Sequence, residues 1–148
     1  MPLHLETTID VVAPPDAVWA VLVDLPAYAD WNPFITRAGG RPAAGERLTL
    51  KLQQAKGRGL TIRPKVLVAE PGRELCWLGH LLIPGIFDGR HRFTIRPIDG
   101  GCRLVQEEHF TGLLVPILSN GLRSGTQPAF QAMNAALKRR VETASVSS

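Results

Sequence analysis

His91, Gln106 and Glu108 are the residues of this chain whose types and spacing could move a proton. Asp99-Gly100 is the strongest hairpin signal in the sequence, because an Asp-Gly pair suits a two-residue turn between antiparallel strands. With a two-residue loop, His91 faces Glu108, Phe93 faces Gln106 and Ile95 faces Leu104. That register sets an imidazole, a carboxylate and an amide on the apolar side of the hairpin, where burial and mutual contact perturb ionisation. With a three-residue loop the pairing slips by one and His91 meets His109. The choice among His91, Glu107, Glu108 and His109 as inward-facing groups then changes, since a one-residue slip reverses the faces of a strand. Both registers are open from sequence, as is the plainer reading of these residues as satisfied polar groups within strands.

Other chemistry finds less support. Ser119, Ser124 and Thr126 fall in a helical stretch with no Gly-x-Ser-x-Gly elbow. The glycines form neither a dinucleotide fingerprint nor a phosphate loop. The four histidines show no metal-ligand spacing, so neither metal nor cofactor is expected. His4 and His80 read as solvent-facing. Cys76 and Cys102 supply no disulfide framework and no zinc spacing, and read as small apolar strand residues.

The elements that must position these groups follow from periodicity. Leu3 to Val11 alternates apolar and polar, the mark of a half-buried strand. Pro14-Pro15-Asp16 opens a helix carrying Val18, Trp19 and Leu22, with proline tolerated in the first turn. Ala27 to Phe34 reads as a second short helix closed by Asn32-Pro33. Strands separated by turns then run to Thr111, with loops at Gly39–Pro42 and Ala55–Gly59 and an edge or bulge at Pro64. From Leu114 the period changes to threes and fours through Leu122, Phe130, Met133, Leu137 and Val141, giving one long amphipathic helix. Gly121, Gly125 and Pro128 predict a break or kink in its first half, and Lys138, Arg139 and Arg140 are placed near its negative end. Residues 144–148 are expected to be a loose tail.

Composition bounds the rest. A chain of 148 residues with 45% hydrophobic residues fits a single domain with a real core. The formal charge of +4 comes largely from scattered arginines, and no continuous basic stripe suggests nucleic acid. No apolar run reaches the ~20 residues that span a bilayer, so no stable membrane insertion is expected. The N-terminus lacks the basic and apolar regions of a secretory signal, and the expected location is cytoplasmic. The expected assembly is a monomer or homodimer.

This order of elements is α+β: about six to seven antiparallel strands in a curved sheet, two short helices after the first strand, and a long C-terminal helix. The apolar face of the sheet has only that helix to cover it. Gly121, Gly125, Ala129, Ala132 and Ala136 on the helix leave room for either a hollow or close packing. The segments Ala13–Leu22, Tyr28–Phe34, Pro84–Phe93, Phe110–Pro116 and Met133–Lys138 resemble the helix-grip fold of the SRPBCC superfamily, in its bacterial polyketide cyclase/dehydrase-like branch. The resemblance covers nearly the whole chain and implies a hydrophobic cavity whose ligand differs from member to member. On that basis the expected ligand is a lipid, polyketide or aromatic metabolite. Trp31 and Phe34 are candidates for the pocket mouth, although aromatic burial alone accounts for Trp31 as an anchor for the short helices, which is the favoured reading. Leu50, Trp77, Phe87, Phe93, Gln106, Phe110, Leu122, Phe130 and Met133 are the other residues expected to meet the ligand. His91 and Glu108 form the candidate catalytic pair. The expected function is a carrier or sensor that binds such a molecule in the cavity instead of transforming it; the alternatives are a cofactor-free cyclase- or dehydratase-like enzyme and a co-chaperone-like interaction domain acting through an outer surface.

Overall fold

The computed structural model describes residues 2–53, 59–81 and 83–147. Strand β1 (Leu3–Val11) leads to helix α1 (Pro15–Val23), a single 3-10 turn (Leu25–Ala27) and the short helix α2 (Tyr28–Trp31). Strands β2 (Ile35–Gly39), β3 (Thr49–Leu52), β4 (Leu60–Ile62), β5 (Lys65–Glu70), β6 (Glu74–Leu81), β7 (Phe87–Ile98) and β8 (Gly101–Thr111) follow, and helix α3 (Val115–Ser147) completes the order. This is the helix-grip α+β architecture.

The strands divide into a five-stranded sheet ordered β1-β8-β7-β6-β5 and a three-stranded sheet ordered β2-β3-β4, all antiparallel. The sequence suggests one sheet of six to seven strands. Pro64 explains the division. It falls between β4 and β5, has no N–H for a ladder, and offers only its carbonyl, which accepts from Leu48 N at 2.9 Å. The loop expected at 55–59 lies outside the described residues except for Gly59.

The turn after α1 depends on a substitution of one donor for another. In a helix the carbonyl of Leu22 would accept from residue 26, but that residue is proline and has no N–H. The Tyr28 hydroxyl takes its place, donating to Leu22 O at 2.5 Å from a side chain with no solvent exposure. Burial pushes the Tyr28 phenol above its ordinary range, and the nearby Asp24 charge pushes it further, so it stays a donor. Asn32 Oδ1 then accepts from Phe34 N at 2.9 Å and Ile35 N at 2.8 Å, fixing the chain's entry into β2.

Helix α3 runs unbroken from Val115 through Ser147, past Gly121, Gly125 and Pro128 and into the stretch expected to be a loose tail. Its two halves are held differently. In the C-terminal half Phe130, Met133, Leu137 and Val141 are buried. Lys138, now well inside the helix instead of at its end, donates to Asp10 O and Glu142, both at 2.7 Å. Glu142 also accepts from Val12 N at 2.8 Å, so the end of β1 is tied to the helix. In the N-terminal half a Cβ added at Gly121 or Gly125 would meet nothing within 4 Å. The first half is pinned at its start by Val115, buried with Leu3, Leu5 and Phe110, and by Leu122, while the helix surface at Gly121 and Gly125 faces open space.

Replacing Tyr28 by Phe should leave the Leu22 carbonyl buried and unsatisfied, a loss of about 1–3 kcal/mol. Urea unfolding of Tyr28→Phe checks this, and an unchanged midpoint would mean that the hydroxyl is dispensable to the turn.

Candidate functional site

The β7–β8 hairpin takes the two-residue turn. Ile98 pairs with Gly101, His91 with Glu108, Phe93 with Gln106 and Ile95 with Leu104, and Gly100 supplies a φ of +82°. His91, Gln106 and Glu108 therefore share the inner face of the sheet, while Glu107 and His109 take the outer one.

A buried polar chain starts from there. Thr7 Oγ1 donates to the backbone oxygen of Gln106 at 3.1 Å, and Asn134 Nδ2 donates to Thr7 Oγ1 at 2.8 Å. Gln106 Nε2 donates to Asn134 Oδ1 at 2.7 Å and to the backbone oxygen of Phe130 at 3.3 Å. A carbonyl can only accept, so the amide of Gln106 has one orientation and its Oε1 faces His91. His91 Nε2 lies 2.9 Å from that oxygen and must carry a proton. The other ring nitrogen, Nδ1, lies 3.1 Å from Glu108 Oε1. Between Nδ1 and the carboxylate there is room for one proton, held as imidazolium with carboxylate or as imidazole with carboxylic acid.

Aromatic rings enclose His91. Trp77 stacks on it at 5.1 Å with 20° between planes, Phe93 lies at 4.8 Å, and Phe130 presents its edge at 4.9 Å. The ring is only 3% exposed, so solvent does not compete for its protons.

A cavity of about 470 Å³ opens between the three-stranded sheet, the inner face of β6–β8 and the first half of α3. That volume is within the range of small-molecule sites. Phe34, Leu52, Leu60, Ile62, Trp77, Phe87, Phe110 and Leu122 form apolar walls, and Gly121, Gly125 and Ala129 present the helix. Glu108 reaches the cavity, and His91 stands behind it. Space for the carboxylate depends on Gly89, because a Cβ there would collide with Glu108 Oε2. At the rim His80 Nδ1 lies 2.7 Å from Asp88 Oδ1, and Asp88 Oδ2 accepts from Gly85 N at 3.0 Å. The His80 hydrogen bond holds the Asp88 carboxyl below its ordinary value near 3.8, with the Gly85 amide assisting. Among the described residues, no three His, Cys, Asp or Glu side chains gather in the cavity to hold a metal.

Of the residues expected to meet a ligand, Phe34, Trp77, Phe87, Phe110 and Leu122 lie on the cavity wall. Leu50, Phe93, Phe130 and Met133 are fully buried in the core, and Gln106 is buried in the polar chain. Trp31 packs against the core with its ring edge-on to Tyr28 at 5.2 Å, which is the anchor reading, and does not line the cavity. His80, read from sequence as solvent-facing, is exposed, and it stands at the cavity rim. Thr7, Asn134 and Gly89 were not anticipated. Thr7 and Asn134 did carry a signal, since each is a polar residue on an otherwise apolar stripe.

The chain matches the family model described as polyketide cyclase / dehydrase and lipid transport over residues 2–142, and it belongs to that family. Its fold is similar to that of the Zhui aromatase/cyclase from Streptomyces sp. R1128, with a TM-score of 0.79, 21% identity, and coverage of 96% of this chain and 94% of that one. A norcoclaurine synthase from Thalictrum flavum is similar at a TM-score of 0.76 and 12% identity, covering 98% and 97% of the two chains. The di-domain aromatase/cyclase StfQ of the steffimycin biosynthetic pathway is similar at a TM-score of 0.81 and 15% identity; the match covers 98% of this chain and 52% of that one. A comparison with curated protein sequences gives no match.

Nitrogen-15 spectra of His91 should show Nε2 protonated throughout the neutral range. Gln106→Leu, which removes the acceptor, should shift the proton population towards Nδ1. An unprotonated Nε2 in the unaltered protein would contradict the orientation deduced for Gln106.

Proposed function

We propose that this protein binds an apolar small molecule of polyketide or aromatic type in the cavity and catalyses a cyclisation or dehydration on it, using Glu108 to take and return a proton. The observation that supports this reading is the buried polar chain that ends at Glu108 on the cavity wall. A carboxyl group that shares a proton with a buried imidazole and also reaches the cavity is suited to general acid–base work. His91 touches Glu108 instead of the cavity, so its role is to orient the carboxylate and stabilise both of its protonation states.

The chemistry fits an activated methylene between two carbonyls. Glu108 removes a C–H proton, and the resulting enolate attacks a second carbonyl held nearby by the apolar walls, forming a C–C bond. The alkoxide takes the proton back as a hydroxyl. In a dehydration, Glu108 removes the adjacent C–H proton and returns it to the departing hydroxyl, releasing water and leaving a double bond. No external oxidant or reductant is required.

A carrier reading draws on the wall itself, in which Glu108 is the sole acidic or basic side chain other than His80 among the described residues. The two readings separate with a probe. Benzoylacetone has an acidic methylene, and NMR in deuterium oxide follows its exchange. The protein should accelerate that exchange, and Glu108→Gln should slow it by about 10²–10⁴-fold, the usual worth of a positioned acid–base group, while leaving benzoylacetone binding nearly unchanged. Exchange as fast in the variant would remove Glu108 from the mechanism, and binding without acceleration in the unaltered protein would leave the carrier.

Gly125 tests the cavity. Its backbone conformation accepts any residue and a side chain there projects into open space. Gly125→Leu should raise stability by about 0.5–1 kcal/mol, since glycine weakens a helix interior by that much, and should abolish binding of hydroxylated naphthalenes or anthraquinones. Thermal unfolding and calorimetric titration read the two effects.

A further inference from the structure

On the outer face of the five-stranded sheet, away from the cavity, the geometry points to a binding site for a divalent transition metal formed by His4, Glu107 and His109. One ligand atom from each lies within 4.8 Å of the other two. His4 and His109 are directly opposed across the β1–β8 ladder, and their rings stack at 4.1 Å with 11° between planes. His4 Nε2 lies 3.3 Å from Glu107 Oε1. Around tetrahedral zinc, bonds of ~2.0–2.1 Å place ligand atoms roughly 3.3 Å apart. Closing from the present separations asks only for rotation of side chains, because the ladder already fixes the backbones.

A second observation also asks for a cation. Glu6 stands directly opposite Glu107 on the same outer face, and like charges at a cross-strand pair destabilise a sheet. A metal held by Glu107 offsets that repulsion and leaves Glu6 beside the open coordination position.

The neighbouring strand decides which metal. Arg90 and Arg92 of β7 face His109 and Glu107 in register, so the site adjoins positive charge. Arg92 lies 3.1 Å from Glu74, an ion pair that draws it away from Glu107. The arginines oppose any cation, so the donor set must supply the affinity, and a single carboxylate oxygen offers little to a hard cation such as Mg²⁺. Imidazole ligands favour Zn²⁺, Cu²⁺ or Ni²⁺, with two histidines, one carboxylate and water completing the set. The ligands come from β1 and β8, 103 positions apart in the case of His4 and Glu107, which is why no spacing motif exists in the sequence.

Such a metal would act in two places. Strand β1 is the sheet edge, and the metal would fasten it to β8. Glu107 and His109 also flank Glu108, so their coordination would hold the β8 backbone on both sides of the cavity carboxylate. The metal site stands without the proposed chemistry.

Untagged full-length protein, stripped with chelator, is titrated calorimetrically with Zn²⁺, Cu²⁺ and Mg²⁺. The expected result is one equivalent of Zn²⁺ or Cu²⁺ and no Mg²⁺. His4→Ala and His109→Ala should each weaken binding at least tenfold, and His80→Ala should leave it unchanged. These are exposed or rim side chains, and circular dichroism checks that each variant folds. The site is overturned by absent or substoichiometric uptake, by uptake undiminished in both His4→Ala and His109→Ala, or by an equal loss in His80→Ala.

Discussion

The carbonyl of Phe130 accepts a hydrogen bond from Gln106 and has no proton to give in return. From that asymmetry the rest of the interior follows in sequence. The Gln106 amide points its nitrogen at the helix, its oxygen faces His91, the imidazole keeps a proton on Nε2, and Nδ1 is left to Glu108. Thr7 and Asn134 close the chain on its other side, linking the first strand, the last strand and the long helix through side chains that water scarcely reaches. Buried networks of this kind are costly if one member fails and highly specifying when all are satisfied. Here the specification extends to the hydrogen-bond partner of a carboxyl group facing the cavity.

Holding that chain in place is the work of only part of α3. Near Phe130 and Asn134 the helix is packed on the sheet, and further on Lys138 and Glu142 tie it to the end of β1. Before that point it carries two glycines and a proline, residues that weaken a helix, along a wall of empty space. The molecule thus combines a rigid polar anchor with a lightly built cover. Stability concentrated in one region and relaxed in another is how binding sites and cores coexist in one small fold.

Much of this was legible in the sequence because two periodicities carry it. The alternation from Leu3 to Val11 and the threes and fours from Leu114 to Val141 predict the strand and helix that the fold contains. Asp99-Gly100 was enough to pose the hairpin as a choice between two registers, and the structure takes the one that pairs His91 with Glu108. What a linear reading could not supply was depth. It placed Leu50, Phe93, Phe130 and Met133 beside a ligand because they face inward, yet inward includes both core and cavity, and only three-dimensional packing separates them. Gly89 shows the same limit. Its value lies in an atom it lacks, beside a carboxylate on the next strand. Of the break or kink expected from Gly121, Gly125 and Pro128, a break is absent for a related reason: local propensity is weak against tertiary fastening further along the helix.

The unequal halves of α3 have a consequence for how such a protein can change. Residues that set the depth and shape of the hollow, Gly121, Leu122, Gly125 and Ala129, belong to the half that contributes least to holding the fold together. Phe130 and Asn134, the residues that orient Gln106, belong to the half that contributes most. Substitutions that resize the hollow therefore leave the buried polar chain untouched, and replacing either glycine strengthens the helix as it narrows the space. A lineage built on this plan can reshape its cavity by small steps along two turns of helix, with the polar chain passed on intact.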